Sequence, residues 1–131
     1  MELANARYFN LATYRRDGRA VETPVWFAAD GATFYLFSAG DAGKVKRLRN
    51  SGRARIAACD GRGRLRGDWH DAQARIVTGA DEVARAHRAL RRKYGFQMRL
   101  TDLFSTLAGR YHKRAFIAVQ LDHSAELRRA T

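Results

Sequence analysis

Three short runs of β-favouring residues alternate with two Asp-Gly pairs near the start of the chain, and this alternation constrains the fold most strongly. The runs cover residues 8–14, 21–28 and 33–38, and the turns between them carry Asp17-Gly18 and Asp30-Gly31. Asp-Gly is typical of tight hairpin turns because both residues tolerate the backbone angles that such turns need. The pattern predicts a meander of three antiparallel strands.

Three more β-type segments follow, at residues 54–59, 65–77 and 115–121, and the longest is expected to bend at Gly67. A short helix is expected at residues 101–109, before the last of them. Six short strands joined by glycine-containing turns are typical of an antiparallel barrel and not of a doubly wound α/β sheet. The sequence therefore predicts a mainly β, α+β fold: a six-stranded antiparallel β-barrel with a few short helices.

Signals for two other helices lie between the strands. Asp41 is expected to cap a short helix that runs to about residue 50. Thr78 and Asp81 have the spacing of a capping box and predict a helix that continues to Tyr94. A glycine follows Tyr94 directly and is expected to end this helix.

The only proline of the chain, Pro24, falls within the second predicted strand. Proline has no N–H to donate to a β-ladder. This strand is therefore expected at an edge of the sheet, or with an irregularity at Pro24.

Length and composition predict a single domain spanning residues 1–131, since a chain with 46% apolar residues can bury a sizeable core. The lone Cys59 cannot form an internal disulfide, and no apolar run approaches the roughly 18 residues of a membrane span. The first residues resemble no secretory signal. We expect a cytoplasmic protein that does not interact with membranes.

The charge of the chain is strongly positive, with 25 basic and 13 acidic residues and a net charge of +12. Nine basic residues and a single acidic one, Asp60, lie between residues 44 and 66. Such a concentration favours an anionic partner. One alternative is a nucleic-acid-binding β-barrel, but residues 44–66 contain no aromatic side chain on which bases would stack. We therefore expect no nucleic acid partner.

A candidate phosphate site lies at the start of the first predicted helix, in the sequence GKVKRLR from Gly43. Lys44 and Arg47 are three residues apart and share one helical face, close to the free N–H groups of the first turn. The hydroxyl of Ser38, at the end of the preceding strand, is a possible further donor. A solvent-exposed basic helix is the alternative at this stage.

No familiar catalytic or metal-binding arrangement is visible elsewhere. The glycines in DGRGRLRG, from Asp60, have the wrong spacing for a dinucleotide fingerprint and lead into a strand. The four histidines are scattered, and Cys59 lies in an apolar strand. If the protein is an enzyme, a cofactor is expected to supply the chemistry, so no catalytic side chain is predicted. The flat faces of Trp26 and Trp69 are suited to a ring system, although core or dimer packing would explain them equally well.

Five segments, in order along the chain, resemble the split barrels of the pyridoxamine 5'-phosphate oxidase type. They read DGR at 17–19, TPVWF at 23–27, GKVKRLR at 43–49, AACDGRG at 57–63 and LRRKYG at 90–95. The resemblance is greatest to the branch of deazaflavin-dependent oxidoreductases that use coenzyme F420. One departure is Gly52, where this family carries a proline after the helix.

The resemblance implies a homodimer with its cofactor cleft at the subunit interface, and a cofactor ring near the second and third strands. Lys44 matches the lysine that binds the cofactor phosphate, and Ser38 matches a hydroxyl residue of the same cradle. The cofactor-binding residues expected in this chain are Pro24, Val25, Trp26, Phe37, Ser38, Gly43, Lys44, Arg47 and Trp69.

The expected function is hydride transfer from reduced coenzyme F420 to a small unsaturated molecule, with FMN as the alternative cofactor. The basic segment 44–66 fits the acidic oligoglutamate tail of F420 better than it fits FMN. Two alternatives remain open within the same family resemblance: an FMN-binding oxidoreductase, and a cofactor-binding protein without turnover.

We predict that the protein is a homodimer, from the family resemblance and from the strand containing Pro24, which favours a partly covered position. Light scattering at micromolar concentration should give about twice the mass of 14.8 kDa. A monomer under these conditions would contradict the prediction.

Overall fold

One antiparallel sheet of seven strands forms the barrel in the computed structural model, which describes residue 3 and residues 6–40, 42–95 and 114–122. Along the chain the elements are β1 (Tyr8–Tyr14), β2 (Ala20–Trp26), β3 (Ala28–Asp30), β4 (Thr33–Ala39), α1 (Gly43–Asn50), β5 (Arg53–Cys59), β6 (His70–Ile76), α2 (Ala80–Tyr94) and β7 (Arg114–Leu121). The strand order is β2-β1-β5-β6-β7-β4-β3. The predicted antiparallel α+β barrel is confirmed, with seven strands in place of six.

The extra strand arises because residues 21–28, predicted as one strand, are interrupted at Phe27. β2 pairs with β1, whereas β3 pairs with β4 at the opposite end of the sheet. Phe27 alone separates these two terminal strands, so the chain itself closes the barrel at this residue. Pro24 lies in β2, the first strand of the sheet order, which confirms the expected edge position.

The hydroxyl of Tyr94, at the end of α2, bonds the backbone at this interruption. It accepts a hydrogen bond from the Phe27 N–H at 2.9 Å and lies 2.7 Å from the carbonyl oxygens of both Phe27 and Arg7, to one of which it donates. Burial raises the pKa of Tyr94 to about 12. The Tyr94 hydroxyl thus connects three parts of the structure. These are α2, the point at which the barrel closes, and the residue just before β1.

Lys93 strengthens the same junction. Its ammonium donates a hydrogen bond to the Ala6 carbonyl at 2.6 Å and lies 3.7 Å from the centre of the Phe27 ring. Burial of the ammonium lowers the pKa of Lys93 to about 8. An ammonium over an aromatic face is favourable, so Lys93 holds α2 against the start of β1.

The barrel interior is filled by inward-facing side chains of the strands, with the rings of Phe9 and Phe27 stacked at 4.2 Å. Val45 and Leu48 of α1 belong to the same buried cluster. Because these two residues are three apart on one face of the helix, α1 packs against the barrel with that face. Its remaining residues are available for other contacts.

α2 packs on the outer side of the sheet, where its buried residues form a second cluster with Tyr35 and Phe116. Glu82 fixes the first turn of this helix, since its carboxylate accepts two hydrogen bonds from Arg75, at 2.6 and 2.7 Å, and one from the Tyr35 hydroxyl at 2.8 Å. These hydrogen bonds lower the pKa of Glu82 to about 2. The carboxylate therefore remains charged and bonded over the whole physiological pH range.

The predicted strand at 65–77 is wrong in its first half, because β6 begins at His70 and Leu65 makes only an isolated bridge to Cys59. The preceding residues form a closed loop in place of a strand. The carboxylate of Asp60 accepts hydrogen bonds from two backbone N–H groups of this loop, those of residues 62 and 64. The Asn10 amide donates to the carbonyl of Gly63, whose φ is 87°.

The predicted cap of α2 is wrong, because Gly79 is the N-cap residue and makes no side-chain hydrogen bond. Asp41, the predicted cap of α1, lies outside the described residues. The predicted end of α2 is confirmed, since Gly95 follows it with a φ of 54°, which favours glycine. The helix expected at 101–109 lies outside the described residues. Among the described helices, none is long and apolar enough to cross a membrane.

We predict that Tyr94→Phe lowers the free energy of unfolding by about 2 to 3 kcal/mol, because it leaves buried backbone groups at Phe27 without their partner. Tyr35→Phe is the matched control, and it should cost less than about 1 kcal/mol because Glu82 keeps its bonds to Arg75. Urea denaturation of both variants measures the difference. Equal losses would show that the closure does not depend on the Tyr94 hydroxyl.

Candidate functional site

Two cations lie together on α1. Lys44 is partly buried in the first turn, and Arg47 follows one turn later. The Arg47 Nε donates a hydrogen bond of 2.6 Å to the Thr13 hydroxyl, which is buried on β1. This bond fixes the guanidinium in position beside the first turn of the helix.

These cations have no counter-ion among the described residues, in which no carboxylate lies within 4 Å of either. Burial, and next to it the charge of Arg47, lowers the pKa of Lys44. Burial and then the charge of Arg15 lower the pKa of Arg47. Lys44, Arg47 and Arg15, which we call the α1 cation cluster, therefore repel one another, and an anion bound among them would relieve this repulsion.

Gly43 and the backbone at the start of α1 lie beside Lys44 and Arg47. A Cβ atom on Gly43 would lie 2.8 Å from the Arg47 Nη1, so a side chain there would displace the guanidinium. Ala42, the N-cap residue of α1, makes no side-chain hydrogen bond to the N–H groups of the first turn. Free N–H groups at a helix start favour anions, as do the neighbouring cations. The arrangement fits a phosphate group.

Thr13 and Arg15 were not predicted as site residues. Both lie in or beside β1, about 30 residues before α1, and no local motif connects them with Lys44. A signal for Thr13 does exist in the sequence. In β1 it has the same parity as Phe9 and Leu11, which face the barrel interior, so a polar residue interrupts an otherwise apolar face.

Three of the predicted cofactor-binding residues, Gly43, Lys44 and Arg47, lie close together in the structure. Two others, Ser38 and Phe37, have surroundings that differ from each other. These two are neighbours on β4 and face opposite sides of the sheet. Ser38 is buried and pairs with Ala115 of β7. Phe37 lies on the outer side, 6.2 Å from the ring of Phe116.

The other four predicted residues are spread over the barrel. Val25 belongs to the interior cluster, and Pro24 lies on the outer side near the loop of residues 60–67. Trp26 is partly buried and stacks on Tyr94 with ring centroids 4.8 Å apart. Trp69 is partly buried just before β6, with a guanidinium of β5 at 5.5 Å from its ring centre. Within one chain, contacts therefore connect Trp26 and Phe37 to the outer cluster and not to the α1 cation cluster.

Nucleophilic and metal chemistry finds no support in the described part of the chain. Burial raises the pKa of the Cys59 thiol, which disfavours the reactive thiolate. No group of three His, Cys, Asp or Glu side chains in these residues is arranged to hold a metal ion. The α1 cation cluster is the arrangement here that fits a ligand group of the expected kind.

Comparison with known protein families shows to which family the chain belongs. The family model described as pyridoxamine 5'-phosphate oxidase matches residues 2–123, which is nearly the whole chain. The chain belongs to the pyridoxamine 5'-phosphate oxidase family. No curated protein sequence matches it significantly. The family assignment confirms the resemblance seen in the sequence at the level of the whole family.

Several solved structures share the fold of this family member. A conserved hypothetical protein from Mycobacterium tuberculosis is 22% identical, with a TM-score of 0.68 over 88% of this chain and 73% of that one. An FAD-binding protein from Mesorhizobium loti is 19% identical, with a TM-score of 0.63 over 92% and 82%. The haem storage protein HutZ from Vibrio cholerae is 13% identical, with a TM-score of 0.66 over 90% and 83%. At these identities the likeness establishes a common fold.

We predict that inorganic phosphate stabilises the protein through the α1 cation cluster. Phosphate at ten times its dissociation constant should add about 1.4 kcal/mol of stability and raise Tm by roughly 5 °C relative to chloride at equal ionic strength. Lys44→Met should remove most of this increase, and Lys46→Met should keep it, since Lys46 is exposed on the same helix. Equal behaviour of the two variants in thermal denaturation would contradict a local site.

Proposed function

We propose that this protein is an oxidoreductase that binds the phosphate of a flavin-type cofactor at the α1 cation cluster. Coenzyme F420 is the preferred cofactor and FMN the alternative. The observation that carries the proposal is the partly buried pair of Lys44 and Arg47, which has no counter-ion among the described residues and lies beside the first turn of α1. A fold that maintains such repulsion without a ligand loses stability, so a bound anion explains the arrangement.

Three chain groups would hold the phosphate in this proposal. Lys44 would supply an ammonium and Arg47 a guanidinium held by Thr13, and the first backbone N–H groups of α1 would complete the set. A hydrogen bond between charged groups contributes more than a neutral one. Bound F420 in its reduced form would supply the hydride, and the role of the chain is to bind, orient and shield the ring.

The preference for F420 over FMN is supported by charge. Outside the cluster, residues 44–66 add Arg49, Arg53 and three arginines of the loop after β5, all exposed. Asp60 is the only carboxylate of this segment, and it is engaged by the backbone of that loop. These cations would attract the acidic oligoglutamate tail of F420, which FMN lacks.

A homodimer is part of the same proposal, because the predicted ring-binding residues are separated within one chain. Trp26 and Phe37 pack on the outer cluster, whereas Trp69 lies beside β5 and β6. A second subunit would be needed to bring such surfaces together around one cofactor. The substrate would be a small unsaturated molecule that lies against the ring.

We predict that Lys44→Ala weakens cofactor binding by about 1.5 to 3 kcal/mol, or roughly 10- to 100-fold in Kd, because it removes a charge-assisted hydrogen bond to phosphate. The stability of the free protein should not fall, because the substitution also removes the repulsion between Lys44 and Arg47. Fluorescence titrations with F420 and with FMN, at fixed ionic strength, give both affinities.

Arg85→Ala is the control, since it removes an exposed charge outside the segment 44–66. Equal weakening in both variants would mean that the charge acts only as a diffuse field. Tighter binding of FMN than of F420 would reverse the cofactor preference. A protein that binds F420 but reduces none of a panel of nitroaromatic and unsaturated carbonyl compounds would be a carrier and not an enzyme.

A further inference from the structure

The side chain of Arg47 is held between Thr13 and Gly43. Its Nε donates a hydrogen bond of 2.6 Å to the Thr13 hydroxyl. A Cβ atom on Gly43 would lie 2.8 Å from Nη1 and 3.6 Å from both Cζ and Nη2 of the same guanidinium. The guanidinium therefore occupies the space that a side chain at position 43 would take, and its terminal nitrogens lie beside the first residue of α1.

The backbone does not explain why position 43 is a glycine. Gly43 is a helical residue, and its φ does not lie in the left-handed region that favours glycine. Alanine favours a helix more than glycine does. The three atoms nearest to a Cβ at this position all belong to the Arg47 guanidinium. The missing side chain therefore makes room for that guanidinium.

The buried hydroxyl of Thr13 has a similar explanation. Thr13 is 1% exposed, and its ladder neighbours are Val21 on β2 and Ala54 on β5, both apolar. A buried hydroxyl is unfavourable without a hydrogen-bond partner, and the structure gives it the Arg47 Nε. Valine would suit the same neighbours without needing a partner. The bond to the guanidinium, and not packing, therefore accounts for the hydroxyl.

These two contacts decide which nitrogens of Arg47 can meet an anion. Nε is bound to Thr13, whereas Nη1 and Nη2 have no hydrogen-bond partner among the residues that the structure describes. The terminal nitrogens of a guanidinium form a planar fork that can bind two oxygens of one phosphate. Arg47 is therefore oriented to meet a phosphate with its terminal end.

We propose that Thr13 and Gly43 are positioning residues of the phosphate site. They act through Arg47, because the Thr13 hydroxyl holds Nε and the absent side chain of Gly43 leaves space for Nη1 and Nη2. The inference rests on the proposed function, which assigns the phosphate to the α1 cation cluster. It adds that the affinity for phosphate depends on the orientation of Arg47 and not only on its charge.

Gly43→Ala tests this orientation without disturbing the core. The atoms nearest to the added Cβ belong to the end of a flexible side chain, so Tm should stay the same or rise. The dissociation constant for inorganic phosphate should nevertheless increase about tenfold, because the guanidinium is displaced. A phosphorus NMR titration of the full-length protein at fixed ionic strength measures this constant, and thermal denaturation measures Tm.

Gly79→Ala is the matched control for this substitution. Gly79 directly precedes α2, and a Cβ there would meet no atom within 4 Å. Its phosphate binding should equal that of the unmodified protein. An equal loss in Gly43→Ala and Gly79→Ala would overturn the proposal.

Thr13→Val and Thr13→Ser form a second comparison. Valine has nearly the shape of threonine but removes the acceptor of Nε, so the dissociation constant for phosphate should rise about five- to tenfold. Serine keeps the hydroxyl and should bind within about twofold of the unmodified protein. A packing role would predict the opposite order, since serine loses a buried methyl group and valine does not.

The Arg47→Ala background shows whether both residues act through Arg47. Once the guanidinium is absent, Gly43→Ala and Thr13→Val should cause no further loss of phosphate binding, because residues that act through one group are not additive. A loss that persists in this background would overturn the proposal, since the side chain at position 43 would then obstruct the anion itself.

Two further results would overturn the proposal, and they differ in what they mean for the proposed function. In the first, Lys44→Ala loses phosphate binding while Gly43→Ala and Thr13→Val bind as the unmodified protein does. The phosphate site would then stand without the positioning role. In the second, the unmodified protein binds no phosphate, and the site and the positioning role are rejected together.

Discussion

The closure of the barrel depends on the hydrogen bonds that the Tyr94 hydroxyl makes with the backbone of Phe27. β2 and β3 stand at opposite ends of the strand order, and Phe27 alone connects them. Its peptide groups lie outside both ladders, and a hydroxyl from α2 replaces the missing partners. Lys93 adds a cation over the Phe27 ring. The position of the end of α2 therefore follows from the way in which the barrel closes.

A second constraint is electrostatic. The interior face of α1 is anchored in the barrel by Val45 and Leu48, which leaves Lys44 and Arg47 at the end of β1 regardless of their mutual repulsion. The Thr13 hydroxyl holds Arg47 in this place. Packing energy from the apolar face thus maintains a charge arrangement that is unfavourable in the free protein. Binding sites often have this property, because strain in the free state is relieved when the ligand arrives.

Much of the fold could be predicted from local sequence patterns, and the parts that could not depend on distant contacts. β1, α1 and the end of α2 follow from residue type and spacing over a few positions. The interruption at Phe27 depends on a side chain 67 residues away, and the loop at 60–67 depends on Asn10.

In the site, Lys44 and Arg47 were predictable from helical spacing, whereas Arg15 joins them only through the packing of α1 on β1. The predicted cap of α2 failed because this helix begins at Ala80, so that Gly79 and not Thr78 occupies the cap position.

The pairing of β4 with β7 bears on how the protein is made. Thr33 lies opposite Gln120, so two strands that are adjacent in the sheet are separated by most of the chain. During synthesis β4 leaves the ribosome long before its partner, and β3 is the only neighbour then available to it on the other side. Contacts between residues so far apart in sequence slow folding, and an unpaired strand edge invites association with other chains. The nascent chain therefore carries an open β-edge on β4 until β7 emerges.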